Sequence, residues 1–300
     1  MHTPTIVVAA DGTEPGRAAV LWAAAEAHRT NLPLTVVHVL DWDWSTSRYD
    51  FGGNRFETAR RLAEGVAAAA AREAREAVPD ITVDTEVVIG NPAAQIIIAS
   101  EHAELLVLGH RGAGGFAGLR LGSVSQRVAV HTHSPVVVVR GRTGEPTGPI
   151  AVGVDDSPHA DHVLETAFTA ARRQGTGLVA VRSYLPVYLG RLPVTEVRTP
   201  DQDEAERAKV IEQLAPWRTK YTDVPVEILI SHDSAAAVLT GVSHGAQLVI
   251  VGSHGHGVIT GTLLGSTGLQ LLHHADCPVL IVRRPTRREQ RRQPTAESPL

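Results

Sequence analysis

The hydrophobic positions of the chain form short, nearly continuous apolar runs, which alternate with longer stretches rich in alanine. Apolar runs of roughly four to eight residues are typical of strands that are buried on both faces of a parallel sheet. The longer stretches, such as 16–28, 59–77 and 92–102, have the length and composition of helices. The pattern therefore predicts an α/β fold in which helices connect successive parallel strands.

This pattern occurs twice along the chain. IVVAADGT in the first half corresponds to IAVGVDDS in the second, and ELLVLGHRG corresponds to QLVIVGSHG. Because four such pairs follow in the same order, we infer a duplicated domain. The paired stretches are 6–13 with 150–157, 34–41 with 177–184, 104–112 with 247–255, and 131–140 with 274–283.

Each copy is predicted to contribute five strands to a doubly wound parallel sheet. The predicted strands are 5–9, 34–39, 82–88, 105–108 and 136–139 in the first copy, and 150–154, 177–182, 226–231, 248–251 and 279–282 in the second. The Gly, Pro and Thr content of 141–148 indicates a linker. We therefore expect domains at 1–143 and 149–284, followed by a disordered, locally basic tail at 285–300.

The composition agrees with a two-domain globular protein of 300 residues, with 43% hydrophobic and 20% charged residues. A net charge of −4 argues against general nucleic-acid binding. The single cysteine, Cys277, excludes a disulfide within the chain and favours a reducing compartment. No signal peptide and no membrane-spanning apolar run is evident, so we expect a cytoplasmic protein without a membrane partner.

A glycine-rich loop follows the fourth predicted strand of each copy, with a G-x-x-G pattern separated by nine residues from a Gly-Ser pair. The residues are Gly109, Gly112, Gly122 and Ser123 in the first copy, and Gly252, Gly255, Gly265 and Ser266 in the second. Glycine lets a ligand approach the backbone closely, and a helix beginning at the Gly-Ser pair would present free N–H groups at its positive dipole end. Such a corner binds phosphate.

Neither loop is a Walker loop, because neither contains the required lysine. Neutralisation of phosphate would therefore depend on the helix dipole, backbone amides, the hydroxyls of Ser123 and Ser125, a metal ion, or Arg111 and Arg120. His254, in the second loop, is also placed to meet phosphate, although its position favours loop filling over phosphate binding. Spaced metal ligands and an arranged catalytic set are absent from the sequence patterns, so we predict no catalytic residue and no protein-held metal site.

Asp11 and Asp155 end the first strand of each copy, at the edge where the glycine loops emerge. A carboxylate accepts hydrogen bonds from an adenine amino group or from ribose hydroxyls, whereas it repels phosphate. The alternative is that each aspartate caps the following helix, for which Asp is well suited. Recurrence beside the loops favours the ligand role.

These residues resemble the ATP-binding class of universal stress proteins, and the duplication resembles the tandem two-domain form of that family, over about residues 4–283. The resemblance implies two Rossmann-like domains, each with a five-stranded parallel sheet of order 3-2-1-4-5 flanked by helices. It implies up to two ATP molecules per chain, with or without Mg²⁺. It further implies a homodimer, or pairing of the two domains, through the last strands.

Carried over by position, the resemblance assigns Asp11 to the adenosine end of ATP and the Val39 backbone to adenine. Gly109 and Gly112 would line ribose and phosphates. The phosphate tail would lie on the start of the next helix, at Gly122, Ser123, Val124 and Ser125. The counterparts in the second copy are Asp155, Ser183, Gly252, His254, Gly255, Gly265, Ser266 and Thr267.

The second copy departs from the first, since Gly268 stands where the first has Ser125, and Asp233 and Ala235 replace Gly90 and Pro92. We expect a binding protein that retains ATP and regulates stress survival or growth through its nucleotide-bound state, with at most slow hydrolysis. The alternative is an adenine-nucleotide-dependent phosphotransferase or adenylating enzyme on the same fold.

Overall fold

Each half of the chain alternates strands and helices as the apolar pattern predicts. The structure is a computed structural model, which describes residues 4–42, 54–114, 120–142, 148–184, 200–253 and 264–283. The elements of the first half are β1 Ile6–Ala9, α1 Glu14–Thr30, β2 Leu34–Leu40, α2 Asn54–Ala77, β3 Val83–Ile89, α3 Pro92–Ala99, β4 Leu105–Gly109, α4 Ser123–His131 and β5 Val136–Val139.

The second half repeats this order. Its elements are β6 Ile150–Gly153, α5 Ala160–Arg173, β7 Leu178–Ser183, α6 Pro200–Lys220, β8 Val226–Ser231, α7 Ala235–Ser243, β9 Leu248–Gly252, α8 Ser266–His274 and β10 Val279–Val282. The predicted tail at 285–300 lies outside the described residues, as does 143–147 of the linker.

The ten strands form one sheet with the order β3-β2-β1-β4-β5-β10-β9-β6-β7-β8. Within each half the strands are parallel and follow the order 3-2-1-4-5, which confirms the fold class. The halves meet at β5 and β10, which pair antiparallel with Val138 opposite Val279. The last strands of the two copies thus join them into a continuous sheet.

Helices cover both faces of this sheet, which explains why the strands are apolar throughout. In β1, Ile6 and Val8 belong to one buried cluster and Val7 to the other. Alternate side chains of a strand point to opposite faces, so a strand covered on both sides needs apolar residues at every position. Among the described residues, no helix is both long enough and apolar enough to cross a membrane.

The observed boundaries differ from the predicted ones by a few residues at several ends. The helix expected from residue 16 begins at Glu14, because the Thr13 side chain accepts a hydrogen bond from the Gly16 N–H and caps it. The helix expected to reach residue 102 ends at Ala99, and Ser100 takes the C-cap position. Local capping chemistry, which hydrophobic periodicity does not report, sets these ends.

Candidate functional site

The first glycine loop lies at the carboxyl ends of β1 and β4, two neighbouring strands in the centre of the first half. The chain runs from β1 outward to β2 on one side, whereas β4 lies on the other side. This reversal of strand order opens a crevice beyond the strand ends, where open α/β sheets bind their ligands. Asp11 and Gly109 both stand at this crevice, one after each strand.

The Asp11 carboxylate connects the start of α1 to the glycine loop. Its Oδ1 accepts hydrogen bonds from the Thr13 N–H at 3.1 Å and from the Thr13 hydroxyl at 2.6 Å. Its Oδ2 accepts a hydrogen bond from the Ala113 N–H at 3.1 Å. The cap of α1 is Thr13, and Asp11 orients that cap while holding the loop.

Two glycines permit close approaches that a side chain would prevent. A Cβ at Gly109 would lie 2.6 Å from the carbonyl oxygen of Pro15, which is backbone and cannot move aside cheaply. A Cβ at Gly112 would lie 2.5 Å from Oδ2 of Asp11. The end of β4 therefore rests directly on the first turn of α1, and the loop rests directly on the carboxylate.

The loop closes on the start of α4. The Gly122 N–H donates to the His110 carbonyl at 2.8 Å, and the His110 N–H donates to the Val139 carbonyl at 3.1 Å. Burial lowers the pKa of the His110 imidazole. A hydrogen bond of the ring to the Val139 backbone opposes this shift, whereas the positive charges of Arg140 and Arg111 add to it. His110 is thus a neutral, structural part of the loop at neutral pH.

The first turn of α4 presents backbone N–H groups toward this loop. Gly122 is the N-cap and has no side chain to cap the helix, so Ser123 and Val124 begin it with N–H groups that the helix itself does not bond. The Ser123 side chain is exposed. Ser125 is buried, and its hydroxyl donates to the Gly109 carbonyl at 2.7 Å. Its hydroxyl proton therefore holds the end of β4, whereas the sequence had suggested phosphate.

Val39 and Arg111 flank the same crevice. Val39, near the end of β2, is partly buried and packs against the cluster beneath α3 and α4. Its neighbour Leu40 accepts a hydrogen bond from the Gly90 N–H at 3.0 Å, which ties β2 to the turn before α3. The backbone of Arg111 passes 3.3 Å from the position of a Cβ at Gly122. The predicted residues of the first site thus all lie at or just beyond the carboxyl ends of the strands of the first half.

The second half repeats this framework. The Gly265 N–H donates to the Ser253 carbonyl at 2.7 Å, and the Ser253 N–H donates to the Val282 carbonyl at 2.9 Å, as in the first loop. Gly265 caps α8 without a side chain, and Ser266 and Thr267 begin the helix. Gly252 ends β9 beside this turn. His254 and Gly255 lie outside the described residues.

Two features distinguish the second site from the first. A Cβ at Gly268 would lie 2.7 Å from the Leu264 side chain, so apolar packing occupies the place where Ser125 makes its hydrogen bond. Oδ1 of Asp155 accepts from the Ser157 N–H at 3.0 Å, and α5 begins only at Ala160, two positions later than α1 by the repeat alignment. The second copy keeps the loop framework but changes the turn after its first strand.

A model of the universal stress protein family matches residues 3–140 and 147–283, which is nearly the whole chain. The chain belongs to the universal stress protein family. It is 37% identical over 286 residues to a universal stress protein of Mycobacterium tuberculosis, covering 93% of this chain and 96% of that protein. It is 34% identical over 291 residues to one of Mycolicibacterium smegmatis, covering 93% and 96%.

Solved structures of this family share the tandem architecture. A universal stress protein from Archaeoglobus fulgidus aligns with a TM-score of 0.71 and 20% identity, covering 95% of this chain and all of the other. A universal stress protein from Pseudomonas aeruginosa aligns with a TM-score of 0.59 and 14% identity, covering 94% and 93%. At these identities the likeness establishes the fold.

In this universal stress protein, the second copy carries a charged cluster that sequence reasoning missed. Arg182, on β7, donates to both carboxylate oxygens of Asp156, at 3.1 and 2.6 Å, and to Glu206 at 3.0 Å. Burial opposes the charge of Arg182, but the two carboxylates raise its pKa. In the strand register, Leu178 of the second copy takes the place of Leu34, one position later than the sequence pairing of these stretches gives. Arg182 therefore replaces His38 and Asp156 replaces Gly12, two opposite charges gained together.

A second cluster of hydrogen-bonded side chains, Tyr184, Asp203 and His232, lies beside the ion pairs of Arg182. Tyr184 donates to Oδ1 of Asp203 at 2.7 Å, and Nε2 of His232 lies 2.7 Å from the same oxygen. Burial and the bond to Asp203 raise the pKa of Tyr184 to about 12. Ser183, the counterpart of Val39, donates its hydroxyl to the Asp233 carbonyl. Within the described ranges, no three His, Cys, Asp or Glu side chains converge as a metal site.

Proposed function

We propose that this universal stress protein retains ATP in its first glycine-loop site and, more weakly, in its second. The observation that carries the proposal is the joining of Asp11 to Ala113, which places a carboxylate and the free N–H groups of α4 at one crevice. The N–H groups and the helix dipole suit phosphate. The carboxylate suits the adenosine end, since an ionised carboxylate has about four acceptor positions and Asp11 uses three of them within the protein.

The site favours retention of ATP over rapid phosphoryl transfer. Fast transfer requires charge placed on the transferred phosphate, which P-loop enzymes supply with a lysine and a metal ion. The loop between Gly109 and Gly122 contains no lysine, and its cations are Arg111 and Arg120. We propose that the nucleotide-bound form acts in the cytoplasm as a regulator of stress survival or growth. Mg²⁺ would accompany the phosphates as part of the ligand.

The first experiment identifies the ligand. The full chain is purified without added nucleotide and denatured, and any released nucleotide is identified by mass spectrometry. Titration calorimetry with ATP, GTP and UTP, each with and without Mg²⁺, then measures stoichiometry and base preference. We expect ATP to bind best, with two sites of unequal affinity. Failure of the wild-type chain to bind ATP would refute the proposal.

The second experiment tests Asp11. In Asp11→Asn, one side of the carboxylate becomes an NH₂ group, which must face the Thr13 donors or the Ala113 N–H. The substitution therefore removes at least one hydrogen bond to the carboxylate, and such a bond to a charged group is worth about 1.5–3 kcal/mol. We expect the affinity of the first site for ATP to fall tenfold or more. The matched control is Asp84→Asn, an exposed carboxylate on β3. Equal ATP affinities in both variants would remove Asp11 from the site.

Sustained turnover distinguishes the rival function. A binding protein should release ADP slowly and without dependence on an added acceptor. If instead the chain transfers phosphate or adenylate to an acceptor over many cycles, the phosphotransferase or adenylating alternative is correct, and retention is not the function of the site.

A further inference from the structure

Two arginines cross the junction between the domains in opposite directions. Arg140 follows β5, and Arg283 follows β10. Both are over nine-tenths buried, with 9% and 6% of their surface exposed. Arg140 donates from Nη1 to the carbonyls of Leu271 and Leu272 in the second domain, at 2.9 and 2.5 Å. Arg283 donates from Nη2 to the carbonyl of Ala129 in the first domain.

These carbonyls lie in the last turns of α8 and α4. The Leu271 carbonyl also accepts the N–H of Ala275, the C-cap of α8. The remaining carbonyls at the end of a helix lack partners within it and form the negative end of its dipole, which attracts a cation. The negative end of each helix therefore stabilises the charge of the buried guanidinium that contacts it. Burial lowers the pKa of Arg283 to about 10, so it keeps its charge at neutral pH. Burial also lowers the pKa of Arg140, and nearby Asp276 opposes this.

The opposite ends of the same helices form the candidate phosphate sites. Each helix has nine residues, about 13 Å of length, so its two ends belong to one short rigid element. α8 begins at Ser266 in the second site, and α4 begins at Ser123 in the first. Each domain thus supplies the residue that holds the far end of the other domain's phosphate-binding helix.

Each arginine also adjoins its own glycine loop. Arg140 follows Val139, whose carbonyl accepts the His110 N–H of the first loop. Arg283 follows Val282, whose carbonyl accepts the Ser253 N–H of the second loop. A further contact leads from the first loop to α8, where Nη1 of Arg120 lies 3.1 Å from Nδ1 of His274. Hydrogen bonds of the described loop residues therefore connect each candidate site to the helix of the opposite domain.

We propose that Arg140 and Arg283 are positioning residues, each holding the phosphate-binding helix of the opposite domain, and that they couple the two nucleotide sites across the β5/β10 junction. This inference rests on the proposed function for the identity of the ligand. A ligand bound at the first site restrains the His110 backbone, the end of β5 and Arg140, and so stabilises α8. Filling the second site steadies α4 through Arg283 by the same chain of contacts. The coupling is reciprocal, as thermodynamic linkage requires.

The experiment uses amide hydrogen exchange, read by mass spectrometry on peptides from α4 and α8 of the full chain. Arg140→Met and Arg283→Met remove the charge and keep an apolar stem. Without nucleotide, Arg140→Met should speed exchange in 266–274 more than in 123–131, and Arg283→Met should do the reverse. Arg142→Met is the matched control, because Arg142 reaches the Ala246 carbonyl, outside any helix, at 3.4 Å.

Amide exchange of the same peptides, measured at increasing ATP concentrations, gives the ATP affinity of each site separately. Arg140→Met should weaken binding at the second site about twofold to thirtyfold, the range for a charge at a helix end, and should change the first site less. In the wild type, ATP at a concentration that fills only the first site should already slow exchange in α8. Arg140→Met should abolish that slowing.

Crossed effects in the two arginine variants support the proposal. Equal effects on both helices, or effects confined to the helix of the same domain, overturn it and leave the arginines a purely structural role. If a methionine variant fails to fold, Arg140→Lys and Arg283→Lys replace it, and the same crossed pattern is required. If the wild type binds no ATP, the proposed function fails, and exchange without nucleotide alone decides the positioning role.

Discussion

Gly109→Ala tests whether the end of β4 must lie directly on α1. The added Cβ would meet the carbonyl oxygen and carbon of Pro15 at 2.6 and 2.7 Å, and the Gly16 nitrogen at 3.0 Å. All three are backbone atoms, so relief requires the strand end and the first turn of α1 to separate by about 0.8 Å. That movement also displaces the loop that contacts Asp11.

The expected cost follows from two opposing effects. Overpacking against backbone destabilises a folded protein by about 1–3 kcal/mol. Alanine also restricts the unfolded chain, which stabilises by about 0.4–1 kcal/mol. The free energy of unfolding should therefore fall by about 1–2 kcal/mol, which lowers the melting temperature by about 2–8 °C. ATP affinity at the first site should fall tenfold or more, because loop and helix are no longer aligned.

Gly114→Ala is the matched control within the same loop. A Cβ at Gly114 meets nothing within 4 Å, so only the effect on the unfolded chain remains and the variant should be slightly stabilised. Urea unfolding followed by circular dichroism measures both variants, and calorimetry measures ATP. If Gly109→Ala unfolds at the same urea concentration as Gly114→Ala and binds ATP equally well, the proposed close packing is wrong.

Three further predictions concern other parts of the molecule. Ser125→Ala should lower the free energy of unfolding by about 1 kcal/mol through loss of the bond to Gly109, whereas Ser123→Ala, exposed at the helix start, should lower ATP affinity and leave urea unfolding nearly unchanged. Arg182→Met should destabilise by about 2–3 kcal/mol at neutral pH, since Asp156 and Glu206 both lose their ion pair with Arg182 and Glu206 keeps only its pair with Lys209. Burial opposes ionisation of Glu206, but Lys209 and Arg182 hold its pKa below the ordinary 4.5. The stability that the ion pair with Arg182 contributes is therefore present above pH 4.5 and declines as the pH falls below it. A stability difference between wild type and Arg182→Met that grows on acidification would contradict this ion pair. Burial raises the pKa of the Cys277 thiol to about 12, so a thiol reagent at pH 8 should react only after urea unfolds the chain, and rapid reaction of the native protein would show the thiol to be accessible.

The strands and their order could be predicted because burial on both faces leaves a direct mark in the sequence. A run such as Val136–Val139 has no polar position, and its counterpart Val279–Val282 repeats it, so strand identity and duplication reinforce each other. The ends of the helices were harder to predict from the sequence. Thr13 caps α1 through a single hydroxyl, a local effect that periodicity does not report.

The internal contacts of the site could not be predicted, because they depend on folded distances. Asp11 and Ala113 are 102 residues apart, and no spacing rule relates a carboxylate to a particular loop N–H at that separation. The direction of the Ser125 hydroxyl depends on packing around its side chain. Two signals were nevertheless present in the sequence. An arginine directly follows the last strand of both copies, and the second copy gains Asp156 together with Arg182.

Because β5 and β10 belong to one chain, dilution cannot separate the two domains. In a pair of separate chains, the concentration would determine how often the junction forms, whereas a short connection between Val139 and Ile150 holds the local concentration of each domain near the other in the millimolar range. The outermost strands, β3 and β8, expose Asp84, Glu86 and Glu227, charges that oppose growth of the sheet by further chains. The assembly of the two domains is thus fixed at synthesis, and a cell that changes the amount of this protein changes the number of domain pairs without changing their pairing.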